Sequence, residues 1–78
     1  MREKKDYMVL AFHTTTEAMA FEKQAGISGI PGRLIPLPRE ISAGCGLAWR
    51  IPAGEYEEAE KQIQILDVKF QSITACRL

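Results

Sequence analysis

The order in which strand-like and helix-like stretches follow one another constrains this chain most. Each of two helical stretches stands between strands, whereas the middle two strands follow each other with no helix between them. "YMVLAF", Tyr7 to Phe12, is apolar at alternate and intervening positions alike, as a strand buried on both faces is. In "HTTTEAMAFEKQAG", Thr14 and Glu17 have the spacing of a capping box, and Ala18, Phe21 and Ala25 recur on one helical face. Gly26 marks the predicted stop of that helix, after about eleven residues. "RLIP" reads as a short strand whose Pro36 suits an edge. "LAWRI" is a third strand with Leu47, Trp49 and Ile51 pointing one way and Ala48 and Arg50 the other. "PAGEYEEAEKQIQIL" carries Tyr56, Ala59, Ile63 and Leu66 on one helical face, and "VKFQSITA" reads as a fourth strand at an edge.

A β-α-β-β-α-β order predicts an α+β fold, the ferredoxin-like sandwich. Its four-stranded antiparallel sheet runs in the order 4-1-3-2, with both helices on one face. The two most continuously apolar strands, the first and third, then fall in the centre. At 78 residues the expectation is a single domain, 1–78, with residues 1–6 frayed. Such a chain buries roughly 60% of its unfolded surface, which suffices when 46% of residues are apolar. Tyr7, Val9, Ala11, Ile35 and Ala48 would line the uncovered face, apolar enough for a homodimer or a docking surface.

Ten basic and ten acidic side chains balance, so the field that draws proteins to nucleic acid or anionic membrane is missing overall. "MREKKDY" runs into an apolar stretch too short for a signal-peptide core, and no run approaches the ~20 residues that span a bilayer. The expectation is a soluble, cytoplasmic protein. Two cysteines 31 positions apart, one histidine and no CxxC leave no zinc spacing, so no metal or other cofactor is expected.

The link from Leu37 to Gly46 is longer than the two to five residues that adjacent antiparallel strands need. Cys45 lies within it between Gly44 and Gly46, and composition alone leaves it open between a small turn residue and a working thiol. Topology sharpens the choice. The start of the third strand lies beside the end of the first, so Cys45 belongs with His13 and Thr14, near the electropositive N-terminus of the first helix. From Arg33 to Arg50, three arginines against one glutamate leave a net charge of +2, a field that favours a thiolate. Cys76 falls at the other edge of the sheet, too far for a disulfide with Cys45.

Around Cys45, Arg39 is a candidate anion ligand, with the backbone at Gly44, Gly46 and Thr14. His13 is a candidate base or anion partner, with a simple strand-end hydrogen bond as its alternative. Glu40 and Ser42 read as loop-shaping residues: a lone carboxylate makes no acid–base pair, and serines in turns bond locally. Arg33 and Arg50 read as strand-face residues and Trp49 as core. The glutamates of "EYEEAEK" read as a solvated face that also complements the helix dipole.

"RLIPLPREISAGCGLAWR", with its Pro-x-Pro-Arg-Glu-Ile-Ser lead into a Cys-Gly pair, resembles the small bacterial family of selenium/sulfur carrier-like proteins. The similarity runs from "YMVLAFHTTTEAMAFEKQ" through the second helix and is most specific from Pro36 to Leu47. It implies that Cys45 is the family's cysteine and that Arg39, Glu40, Ser42 and Gly46 belong to its motif. It also implies a carrier or accessory protein rather than a turnover enzyme. Cys45 would hold sulfur or selenium as a persulfide or selenenyl sulfide, between donor and acceptor proteins. The alternative is a noncatalytic module that binds an anion or a partner through the 37–46 loop. A disulfide reductase would need a second cysteine at CxxC spacing.

Overall fold

The computed structural model describes residues 4–41, 45–66 and 68–78. Six elements follow in the predicted order: β1 (Asp6–Ala11), α1 (Thr15–Ser28), β2 (Arg33–Pro36), β3 (Leu47–Pro52), α2 (Ala53–Leu66) and β4 (Ser72–Arg77). The strands form one antiparallel sheet in the order β2-β3-β1-β4, the predicted order read from its other edge. Lys5 and Leu78 extend the β1–β4 ladder by exchanging both backbone hydrogen bonds, at 2.8 and 2.9 Å.

The start of α1 follows from two side chains. Thr14 is extended, and its hydroxyl accepts the Glu17 N–H at 3.1 Å. The Glu17 carboxylate reaches back one residue beyond the cap, to the His13 N–H at 2.8 Å. One of the helix's first donors, the Glu17 N–H, is thereby satisfied, together with the N–H of the residue before the cap.

At its other end, α1 passes through Gly26 and stops at Gly29, three residues later than the sequence predicts. Gly29 adopts the left-handed conformation, φ 74°, and the Ile30 N–H closes on the Ala25 carbonyl at 3.0 Å. This is the Schellman closure, completed by burial of Ile30 with Ala25. A glycine in mid-helix costs about 1 kcal/mol relative to alanine. Burying one more apolar residue at the exit outweighs it.

β4 is also displaced: it begins at Ser72 rather than Val68 and continues to Arg77. Val68 and Phe70 alternate as a strand would, but they pack the connection against the helix-side core instead of joining the ladder. The Gln71 N–H, bonded to the Ala11 carbonyl at 2.7 Å, is where pairing with β1 begins.

On the helix side, Leu10, Phe12, Trp49 and Ile51 meet Ala18, Phe21 and Ala25 of α1 and Ala59 and Ile63 of α2. The Phe21 ring lies between Phe12 and Trp49, with centroids 5.5 and 5.4 Å apart, tilted as aromatic pairs prefer. Trp49 is core, and its Nε1 donates to the Pro31 carbonyl at 3.1 Å. Gly32, at φ 117°, lets the chain pass close by: a Cβ there would stand 2.0 Å from the Arg50 carbonyl oxygen.

The opposite face is not open, contrary to the sequence expectation. Val9, Ala11 and Ala48 have no exposed surface, because Ile41 lies on them with Leu37, Ile35, Tyr7, Cys76 and Leu78 around it. The first part of the β2–β3 link, through Ile41, folds back beneath the sheet. Small side chains leave that face flat enough to receive one isoleucine.

Candidate functional site

Three local features shape the described residues of the 37–46 loop. Its neck is closed by the Leu37 N–H on the Gly46 carbonyl at 2.9 Å, which continues the β2–β3 pairing by one bond. Its body begins with a turn in which the Ile41 N–H reaches the Pro38 carbonyl at 3.0 Å. Arg39 and Glu40 are the exposed central residues of that turn. Gly46 is left-handed, φ 75°, with open space where a Cβ would be. Its requirement for glycine is therefore conformational rather than steric. Ser42 and Gly44 lie outside the described residues.

Cys45 precedes β3 by two residues. Ala48 pairs with Ala11, the last residue of β1, so Cys45 lies beyond that strand's end, where Phe12, His13 and Thr14 lead into α1. The thiol is free and half-buried, and it packs against the helix-side core. Its sulfur makes a weak hydrogen bond to the Leu47 carbonyl at 3.7 Å.

His13 and Thr14 share that end of the sheet, but their polar atoms turn to Glu17. The exposed His13 ring places Nδ1 3.1 Å from Glu17 Oε1, and the Thr14 hydroxyl is engaged as the helix cap. Glu17 is the residue sequence reasoning used only as a cap and missed as the partner of His13. Its i, i+4 spacing from His13 was the available signal. Hydrogen bonding from the His13 backbone N–H, and then from the His13 ring, holds its carboxyl below the ordinary 4.5, against some desolvation.

Glu40 has a second relation that the sequence did not suggest. Cys76 lies opposite Tyr7 in the β1–β4 ladder and packs against the loop-covered cluster. Burial pushes its thiol up, and the Glu40 carboxylate adds to the effect. The two thiols thus pack against clusters on opposite sides of the sheet, and both are free.

Arg33 and Arg50 face each other across β2 and β3, on the sheet face away from the helices. The Arg50 guanidinium lies over the Tyr7 ring, 4.8 Å from its centroid. Surface hollows lie among the described residues. One of about 190 Å³ lies between Tyr56 and Ile63 of α2 and Phe70 and Ile73, and one of about 390 Å³ is lined by Ala20, Leu66 and Lys69. Among the described residues, no three His, Cys, Asp or Glu side chains gather as a metal site would require. No helix among them is long and apolar enough to cross a membrane.

The arrangement can therefore present a single sulfur, without an acid–base partner hydrogen-bonded to it among the described residues. A family model described as "Putative Se/S carrier protein-like" matches residues 7–74, a span that includes Cys45 and stops short of Cys76. No curated protein and no solved structure matches the chain.

Proposed function

The chain belongs to the Se/S carrier protein-like family, and from that premise we propose that Cys45 is the atom that carries the cargo. The Cys45 thiolate attacks the outer sulfur of a donor persulfide. A new S–S bond forms at Cys45 as the donor's S–S bond breaks, and the donor leaves as a thiolate. The thiol proton goes to solvent, and the exchange needs no external oxidant or reductant. Release repeats the chemistry in reverse: an acceptor nucleophile takes the terminal sulfur, and Cys45 departs as thiolate. Selenium from a donor selenenyl sulfide follows the same course.

The observation that carries this reading is the contrast between the two thiols. Cys45 is free and half-buried at a strand end, within the matched span, beside the left-handed Gly46. Burial, and then the Glu40 carboxylate, push the Cys76 thiol up, which disfavours its nucleophilic thiolate. A half-buried sulfur also suits a carrier, since a terminal persulfide exposed on all sides is lost to small thiols. In this reading Arg39 and the backbone around Gly46 supply the positive field, and Glu40 and Ser42 shape the loop.

The test is intact mass after incubation with a persulfide donor. Wild-type protein and Cys76→Ser gain one sulfur, and Cys45→Ser gains none. Equal loading of the Cys45→Ser and wild-type forms, or no loading of either, overturns the proposal.

A further inference from the structure

We infer that the sheet face opposite the helices carries an oxyanion site built on Arg33 and Arg50, which takes a tetrahedral dianion such as sulfate or phosphate. The two arginines are register partners on neighbouring strands, so their side chains leave the same face with Cβ atoms about 4.5–5.5 Å apart. Like charges directly opposite each other destabilise a sheet unless a counter-charge lies between them. Among the described residues the ion pairs are His13 with Glu17 and Arg77 with Asp6, and neither Arg33 nor Arg50 has a carboxylate partner.

The geometry of Arg50 fits such a ligand. The Arg50 guanidinium stands over the Tyr7 ring, 4.8 Å from its centroid, in a cation–π contact that uses none of its N–H donors, the groups that fork an oxyanion. The contact also fixes the side chain, which lowers the ordering cost of binding. Arg50 is half-buried and Arg33 exposed, so the pair offers one partly desolvated, fixed cation and one that can close from solvent. A dianion between them replaces a repulsion with two charge-assisted contacts. The site is distinct from Cys45, which packs against the other face of the sheet, and it stands whether or not Cys45 carries sulfur.

Thermal unfolding of the full chain tests this, with sodium sulfate compared with sodium chloride at matched ionic strength. At about ten times its Kd, a ligand raises the Tm of a chain this size by about 6–11 °C. The sulfate-specific shift disappears in Arg33→Gln, whose exposed position leaves the fold intact, and in Arg50→Gln. It is weakened in Arg50→Lys, which keeps the charge and loses the fork, and it is unchanged in Lys61→Gln, an exposed cation on α2. Inorganic phosphate and adenosine monophosphate form the further arms: a shift with phosphate but none with the monoester assigns a free ion, and a larger shift with the monoester assigns a phosphorylated metabolite. Equal shifts in sulfate and chloride, or a sulfate excess that survives both Arg33→Gln and Arg50→Gln, as general salt exclusion from the surface would give, overturns the site.

Discussion

The two faces of the sheet are buried by different means. On one, two helices of fourteen residues each press Ala18, Phe21, Ala25, Ala59 and Ile63 onto Leu10, Phe12, Trp49 and Ile51, with the Phe21 ring in contact with both Phe12 and Trp49. On the other, Val9, Ala11 and Ala48 disappear from solvent under Ile41, a residue of the loop whose neck is closed by the Leu37–Gly46 backbone bond. The first face is interlocked, with each large side chain held by neighbours from several elements. The second is a lid of one main anchor on a flat floor. The same sheet thus has one side whose loss unfolds the chain and one whose loss should release only a loop. Cys45 sits at the boundary, packed with the first side and carried by the loop that closes the second.

That asymmetry can be broken experimentally. Phe21→Ala should cost about 3–5 kcal/mol, because the ring touches both Phe12 and Trp49 and the helices cannot collapse into its place. Urea unfolding followed by Trp49 fluorescence reads the loss directly. Ile41→Ala should cost about 2 kcal/mol, at the low end for such truncations because solvent and the loop backbone can relax into the space. Trp49 fluorescence of the folded protein should not change, while labelling of Cys76, under the same cover, should accelerate. If Ile41→Ala proves as costly as Phe21→Ala, the two faces are not different in kind.

The smallest expected effect concerns the end of the sheet where both faces meet α1. The Glu17 carboxyl is held below 4.5 in the folded state, so its ionised form stabilises the fold above its unfolded value. That contribution falls away as pH drops through the folded value, on the acid side of 4.5. Urea midpoints measured from pH 7 to pH 3 should fall less steeply in Glu17→Gln than in the wild type. Parallel slopes would mean that the His13–Glu17 contacts do not persist in solution.

The helix-side core was legible in the sequence because periodicity writes it there. Ala18, Phe21 and Ala25, Ala59 and Ile63, and the inward row Leu47, Trp49, Ile51 all follow from spacing alone. The placement of Cys45 at the α1 end of the sheet followed from strand order. The loop-covered face was not legible, since Ile41 stands alone among polar and turn residues and shows no period. Its burial depends on where the loop folds, a tertiary fact. The exit of α1 was misread for a similar reason: Gly26 and Gly29 are both plausible stops, and burial of Ile30 decides between them. At the candidate site, the spacing of Thr14 and Glu17 pointed to the cap, but the turn of His13 toward Glu17 and the approach of Glu40 to Cys76 depend on side-chain geometry that no motif encodes.

The clasp between Lys5 and Leu78 has a mechanical consequence. β1 and β4 lie side by side and antiparallel, so a pull on Lys5 and Leu78 acts across the ladder at one end. Force then meets the hydrogen bonds one pair after another, as in opening a zipper, and no bond shares its load with the next. A chain that resists heat through its aromatic layer would therefore yield to tension at these two points with little resistance. Forces applied through a neighbouring segment would peel β4 away and uncover Cys76 well before they disturbed Trp49.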